Sequence, residues 1–118
     1  MRGCLPISGV YEFGEGSGLS ARPRFLGQDP SADRLASPCF QLRPQLPPFM
    51  LAFGSEDFPH LIGQAKRFAA AVRNVDGLAV ELELAERTHF TASYAGGESN
   101  GPWVPAALEF MSKSARGL

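Results

Sequence analysis

Thirteen residues, Pro47-Pro48-Phe49-Met50-Leu51-Ala52-Phe53-Gly54-Ser55-Glu56-Asp57-Phe58-Pro59, constrain this chain more than any other stretch. Phe49 to Phe53 is an apolar run too short for a helix, with prolines before it and Gly54 after it. That pattern suits a strand covered on both faces, as strands of parallel sheets are. Gly54-Ser55-Glu56-Asp57 then reads as a polar turn. Pro59 fits the first position of a helix, where a missing N–H costs nothing, so Asp57 falls at or just before a helix N-terminus.

The residues that follow have helical periodicity. Leu61, Ala65, Phe68, Ala69 and Val72 share one face, with Gln64, Lys66, Arg67 and Arg73 assigned to the other, and Asn74 to Gly77 end the helix. Leu78 to Leu84 alternates, placing Leu78, Val80, Leu82 and Leu84 on one face and Glu81 and Glu83 on the opposite one, as a half-exposed strand does. Glu86-Arg87-Thr88-His89-Phe90 leaves its end, and a Gly-rich loop from Ala95 to Gly101 follows. Pro102 opens a last helix expected to bury Trp103, Ala107, Leu108 and Met111.

Upstream, Cys4 to Val10 reads as a short strand, with Pro6 restricting it to an edge or a strand start. Its unpaired side predicts self-association, because an uncovered edge accepts another strand. Tyr11 to Pro48 is punctuated by glycine and proline, and 13–46 reads as a lid-like or pocket loop. Within it Asp29 to Ala36 is a short helix with Asp29 as N-cap and Pro30 at the first position.

Strand, loop, strand, helix, strand, helix is the order of an α/β unit with parallel strands and right-handed crossovers. Such sheets bind ligands beyond the carboxyl ends of their strands, and Asp57 and His89 both follow such ends. A carboxylate beside an imidazole fixes the ring tautomer and stabilises the imidazolium. The simpler alternative makes Asp57 a helix cap and His89 a loop residue bonded to backbone, and spacing alone favours it. Glu56, Asp57, His60 and His89 could be considered as metal ligands, but no HExxH or comparable spacing is present, so neither a metal nor another cofactor is expected.

With 118 residues, 44% of them hydrophobic, the chain suits a single domain with one shallow core. A net charge of −1 with interspersed signs offers no face for nucleic acid and no polybasic segment for a membrane. The only two cysteines, Cys4 and Cys39, are far apart and form no CxxC pair, so they read as reduced, packed thiols. Without a signal-like leader or an apolar span, a cytoplasmic location is expected.

Pro47 to Pro59, the following helix and Val80 to Phe90 resemble the C-terminal part of an α/β-hydrolase, of the carboxylesterase, feruloyl-esterase-like or kynurenine-formamidase-like branch. Ile7-Ser8-Gly9-Val10-Tyr11, Phe25-Leu26-Gly27-Gln28-Asp29 and Ala36-Ser37-Pro38 extend the resemblance over nearly the whole chain. It implies a partial α/β-hydrolase fold of about three parallel strands with flanking helices, the N-terminal half of the sheet absent. In that family an apolar strand ends in Gly-x-x-Asp, whose Asp is the triad acid, matched by Asp57. The family histidine lies in a Gly-Arg-Asn-His-Phe-like segment, matched by His89; Glu86 and Thr88 depart from the pattern.

The family also implies a serine on a G-x-S-x-G elbow, earlier in the chain, and an oxyanion loop. Gly97-Glu98-Ser99-Asn100-Gly101 matches the spacing but follows the histidine, and reads as a flexible loop. Ser8, at the end of the first strand, is a stand-in with no helix behind it, expected to pair with backbone. The resemblance therefore implies a C-terminal fragment of a serine hydrolase of carboxylic esters or amides, holding two members of the catalytic triad. Such a chain is expected to be inactive alone, with a small-molecule ester or amide as the substrate of the full-length family. Part of the acyl or alcohol pocket is expected from the loop between Phe13 and Pro38. The alternative is a non-catalytic binding or assembly module on the same fold.

Overall fold

The computed structural model describes residues 2–14, 17 and 26–115. In chain order the regular elements are α1 (Ser31–Ala36), β1 (Phe49–Gly54), α2 (Pro59–Asn74), β2 (Ala79–Leu84) and α3 (Trp103–Ala115). Short 3-10 helices span Pro38–Phe40 and Thr91–Gly97. Phe25 and most of 15–25, which the sequence assigns to the resemblance and to the lid-like loop, lie outside the described residues.

β1 and β2 are parallel and paired from Phe49↔Ala79 to Gly54↔Leu84, with α2 as the crossover. The expected first strand is reduced to two parallel bridges, Cys4↔Phe49 and Ile7↔Ala52, on the other side of β1. The cause lies in its residues. Cys4 and Ser8 donate to Pro48 and Ala52, and Cys4 and Pro6 accept from Met50 and Ala52, but Pro6 has no N–H to give. Ser8 then turns into the left-handed region (φ 50°), ending the extended segment before Val10. Two regular strands and one bridged segment thus replace three strands. Among the described residues no strand pairs with the outer side of that segment.

α2 begins at Pro59 as expected, with Phe58 at the cap position accepting from Leu61 N and Ile62 N. Its buried residues are Leu61, Ala65, Phe68, Ala69 and Val72, and also Gln64, which the sequence reading placed on the polar side. Gln64 is drawn inward because its Oε1 accepts from the N–H groups of Tyr11 and Glu12, both at 3.0 Å, while its Nε2 donates to Ser17 O at 2.9 Å. The loop after the first segment is thereby fastened onto α2, with the Tyr11 ring stacked 4.6 Å from that of Phe68. α1 starts one residue later than expected, at Ser31; Pro30 takes the cap position, and Asp29 Oδ1 accepts from Ser31 N.

On the other face, α3 buries Ala107 and Phe110, with Trp103 packed against the same layer. Leu108 and Met111, expected inside, are exposed, because Trp103, Ala107 and Phe110 define the inward stripe at i, i+4 and i+7. The alternation in β2 holds only partly: Leu84 and Ala79 are buried on opposite faces, while Leu78 and Val80 stay exposed. α3 lies over β1 rather than the start of β2, leaving an open groove of about 450 Å³ between them, lined by Met50, Val80, Leu82 and Phe110. Among the described residues the interior is three small clusters instead of one core: β1 with α2, β1 with the Thr91–Gly97 turn, and β1 with α3. Cys4 and Cys39 are free thiols. Among the described residues no helix is long and apolar enough to cross a membrane.

Candidate active site

The exits of β1 and β2 are laced together by backbone. Ser55 N donates to Leu84 O, Glu56 N to Arg87 O, and Glu86 N to Ser55 Oγ. Gly54 makes this approach feasible, because a β-carbon there would run into the Arg87 carbonyl. Two chain segments separated by a 16-residue helix therefore leave the sheet as one double turn.

Asp57 closes the first exit through its N–H to Gly54 O. Its side chain is fully buried, and Oδ1 lies 3.1 Å from His89 Nδ1 while accepting from Phe58 N at 2.7 Å. The same oxygen thus meets both the N–H of the α2 cap residue and the His89 ring, so a helix cap is not the whole of what Asp57 does. Oδ2 is buried without a partner among the described residues. His89 is 30% exposed, with its ring between Phe58 at 5.5 Å and Phe90 at 5.4 Å. If the carboxylate is ionised and the ring neutral, this bond requires the proton on Nδ1 and leaves the Nε2 lone pair free.

The turn carrying His89 is organised by its neighbours. Thr88 N donates to Thr91 Oγ1, Thr91 N to Thr88 Oγ1, and Ala92 N to Thr88 O. Glu86 takes φ 60°, the left-handed conformation that glycine adopts most readily.

Other residues singled out in the sequence fall elsewhere. Glu56 is exposed, and the His60 ring stacks on Phe58 at 5.8 Å. Among the described residues no three His, Cys, Asp or Glu side chains converge as a metal site would require. Ser8 Oγ is buried without a hydrogen bond among the described residues, contrary to the expected backbone pairing, although the Ser8 N–H donates to Ala52 O. Gly97–Gly101 is fed by a 3-10 helix instead of a strand, and it is tethered, not loose: Glu98 pairs with Arg87 at 2.6 Å. Sequence reasoning missed Ser55, Arg87 and Glu98; only the Arg-x-His spacing hinted at Arg87.

No family model and no curated protein matches the chain. Among solved structures, a truncated carbohydrate esterase from gut microbiota superposes with a TM-score of 0.63 at 14% identity, over 78% of this chain and 32% of that one. The apo form of Thermogutta terrifontis esterase 2 gives 0.60 at 16% identity, over 96% of this chain and 40% of that one. Its butyrate-bound form gives 0.56 at 19% identity, over 99% and 42%. The chain has a partial esterase-type α/β fold. It spans less than half the length of these esterases, so the shared architecture is that of a portion of their sheet and its helices.

Proposed function

We propose that Asp57 and His89 are the acid and the general base of a serine hydrolase acting on a small carboxylic ester or amide. The supporting observation is the bond from a fully buried carboxylate to the half-exposed imidazole at the carboxyl rim of two parallel strands. In the reaction Nε2 takes the proton of a serine hydroxyl as its oxygen attacks the carbonyl carbon, and Asp57 stabilises the imidazolium. The imidazolium returns that proton to the leaving group, and a second pass with water releases the acid.

The G-x-S-x-G spacing occurs in these 118 residues only after His89, on the Glu98 turn. In this reading these residues hold the acid and the base of the site, without the serine elbow and the oxyanion loop. Loss of oxyanion donors alone costs about 100- to 1,000-fold in rate. The 118-residue chain is accordingly expected to hydrolyse 4-nitrophenyl butyrate no faster than its His89→Ala variant. Turnover that depends on His89 would show the chain to be self-sufficient.

The roles are tested without turnover, by nitrogen-15 NMR of the imidazole. The expected wild-type neutral ring carries its proton on Nδ1, and Asp57→Asn, which can turn an NH2 toward the ring, shifts the proton to Nε2. A wild-type ring protonated on Nε2 overturns the assignment.

A further inference from the structure

The look-alike motif at Gly97–Gly101 has a use of its own. We propose that the Arg87–Glu98 ion pair is a positioning device for His89, an inference that rests on reading His89 as the base. Arg87 lies two residues before His89 and its guanidinium crosses the following turn, donating Nη1 to Thr91 O at 3.2 Å and Nη2 to Glu98 Oε2 at 2.6 Å. It thus closes the segment 87–98 from outside, with His89 inside the loop so formed. From the sheet side the same residue is held by its backbone, since Arg87 O accepts from Glu56 N and abuts Gly54.

The acid and the base consequently share one frame. Asp57 is on the turn that donates to Arg87 O, and His89 is on the turn that the Arg87 side chain cinches. The pair is only partly exposed, at 28% and 37%, and a guanidinium fits it because its fork reaches a carbonyl and a carboxylate together. A lysine has one donor centre and cannot span both. Thr88 and Thr91 shape the turn locally, and the Arg87 side chain bridges from its start to Glu98 at the far end of the Thr91–Gly97 helix.

The test compares wild type, Arg87→Lys, Arg87→Ala and Glu98→Gln by NMR, reading water exchange of the His89 Nδ1 proton, with circular dichroism to follow the fold. Exchange is expected to quicken on the order of tenfold in Glu98→Gln and more in Arg87→Ala, with Arg87→Lys between wild type and alanine. Glu98 is on the surface, so Glu98→Gln keeps the test valid should Arg87→Ala unfold. Unchanged exchange in folded Glu98→Gln and Arg87→Lys overturns the positioning role while leaving the Asp57–His89 pair standing. Absence of the wild-type Nδ1 proton removes the pair itself, and this inference with it.

Discussion

Tyr11 is secured through its ring and penalised through its hydroxyl. The ring is buried against Phe68, yet the hydroxyl, close to the Gly9 backbone, makes no hydrogen bond of normal geometry. Burial pushes its acid dissociation well above the ordinary value of 10.0. The sign follows: below that value the phenol is neutral in both states, and as pH rises past it only the unfolded chain releases the proton. Stability should then fall by up to about 1.4 kcal/mol per pH unit from this group. Tyr11→Phe is expected to be neutral or about 1 kcal/mol more stable in urea at pH 7, and to lose less stability than wild type at pH 11. A clear destabilisation at pH 7 would mean that the hydroxyl is bonded. Among single residues, the meeting of Asp57 with His89 was legible because each follows the end of one of two parallel strands. The role of Gly54 was not, because it depends on a carbonyl 33 positions away.

At the scale of elements, periodicity located α2 and β2 and a short apolar run located β1, but which faces of α2 and β2 are buried is set by neighbours the sequence does not display. Gln64 is a residue type of surface positions, and it is interior because the N–H groups of Tyr11 and Glu12 and the carbonyl of Ser17 meet its amide. In α3 the apolar residues are too many for one stripe, so Leu108 and Met111 were as eligible as Phe110 until packing on Met50 chose between them. Glu81 and Glu83 were read correctly as exposed, and Arg73 adds a tie that alternation cannot show, reaching Ala79 O and Glu81. Gln64→Leu, of similar volume, should remove the acceptor for one buried and one partly buried N–H group and cost about 2–4 kcal/mol. Urea unfolding measures this, and Gln64→Glu, which keeps an acceptor but loses the donor to Ser17, is expected to sit between. A leucine variant as stable as wild type would show that the loop finds other partners.

For the molecule as a whole, one strand joins everything. The chain is flat, 43 × 33 × 19 Å, and its radius of gyration of 14.9 Å exceeds the roughly 13.5 Å of a compact chain this long. Leu51 and Phe53 serve the cluster under α2, Ala52 the one at the Thr91–Gly97 turn, and Met50 the one under α3. No cluster is large enough to stand alone, so each depends on β1 being held by the other two. Leu51 has no exposed surface, and Leu51→Ala should cost about 2–5 kcal/mol, a large share of the roughly 6 kcal/mol at the lower end for this length. A fall in Tm of roughly 10–20 °C is expected, against little change for Leu108→Ala on the exposed side of α3. The sole tryptophan, Trp103, reports from the face of β1 opposite Leu51. Its fluorescence and the far-ultraviolet dichroism should therefore fall together in Leu51→Ala, and a Trp103 transition left at the wild-type temperature would show that the two faces fold independently.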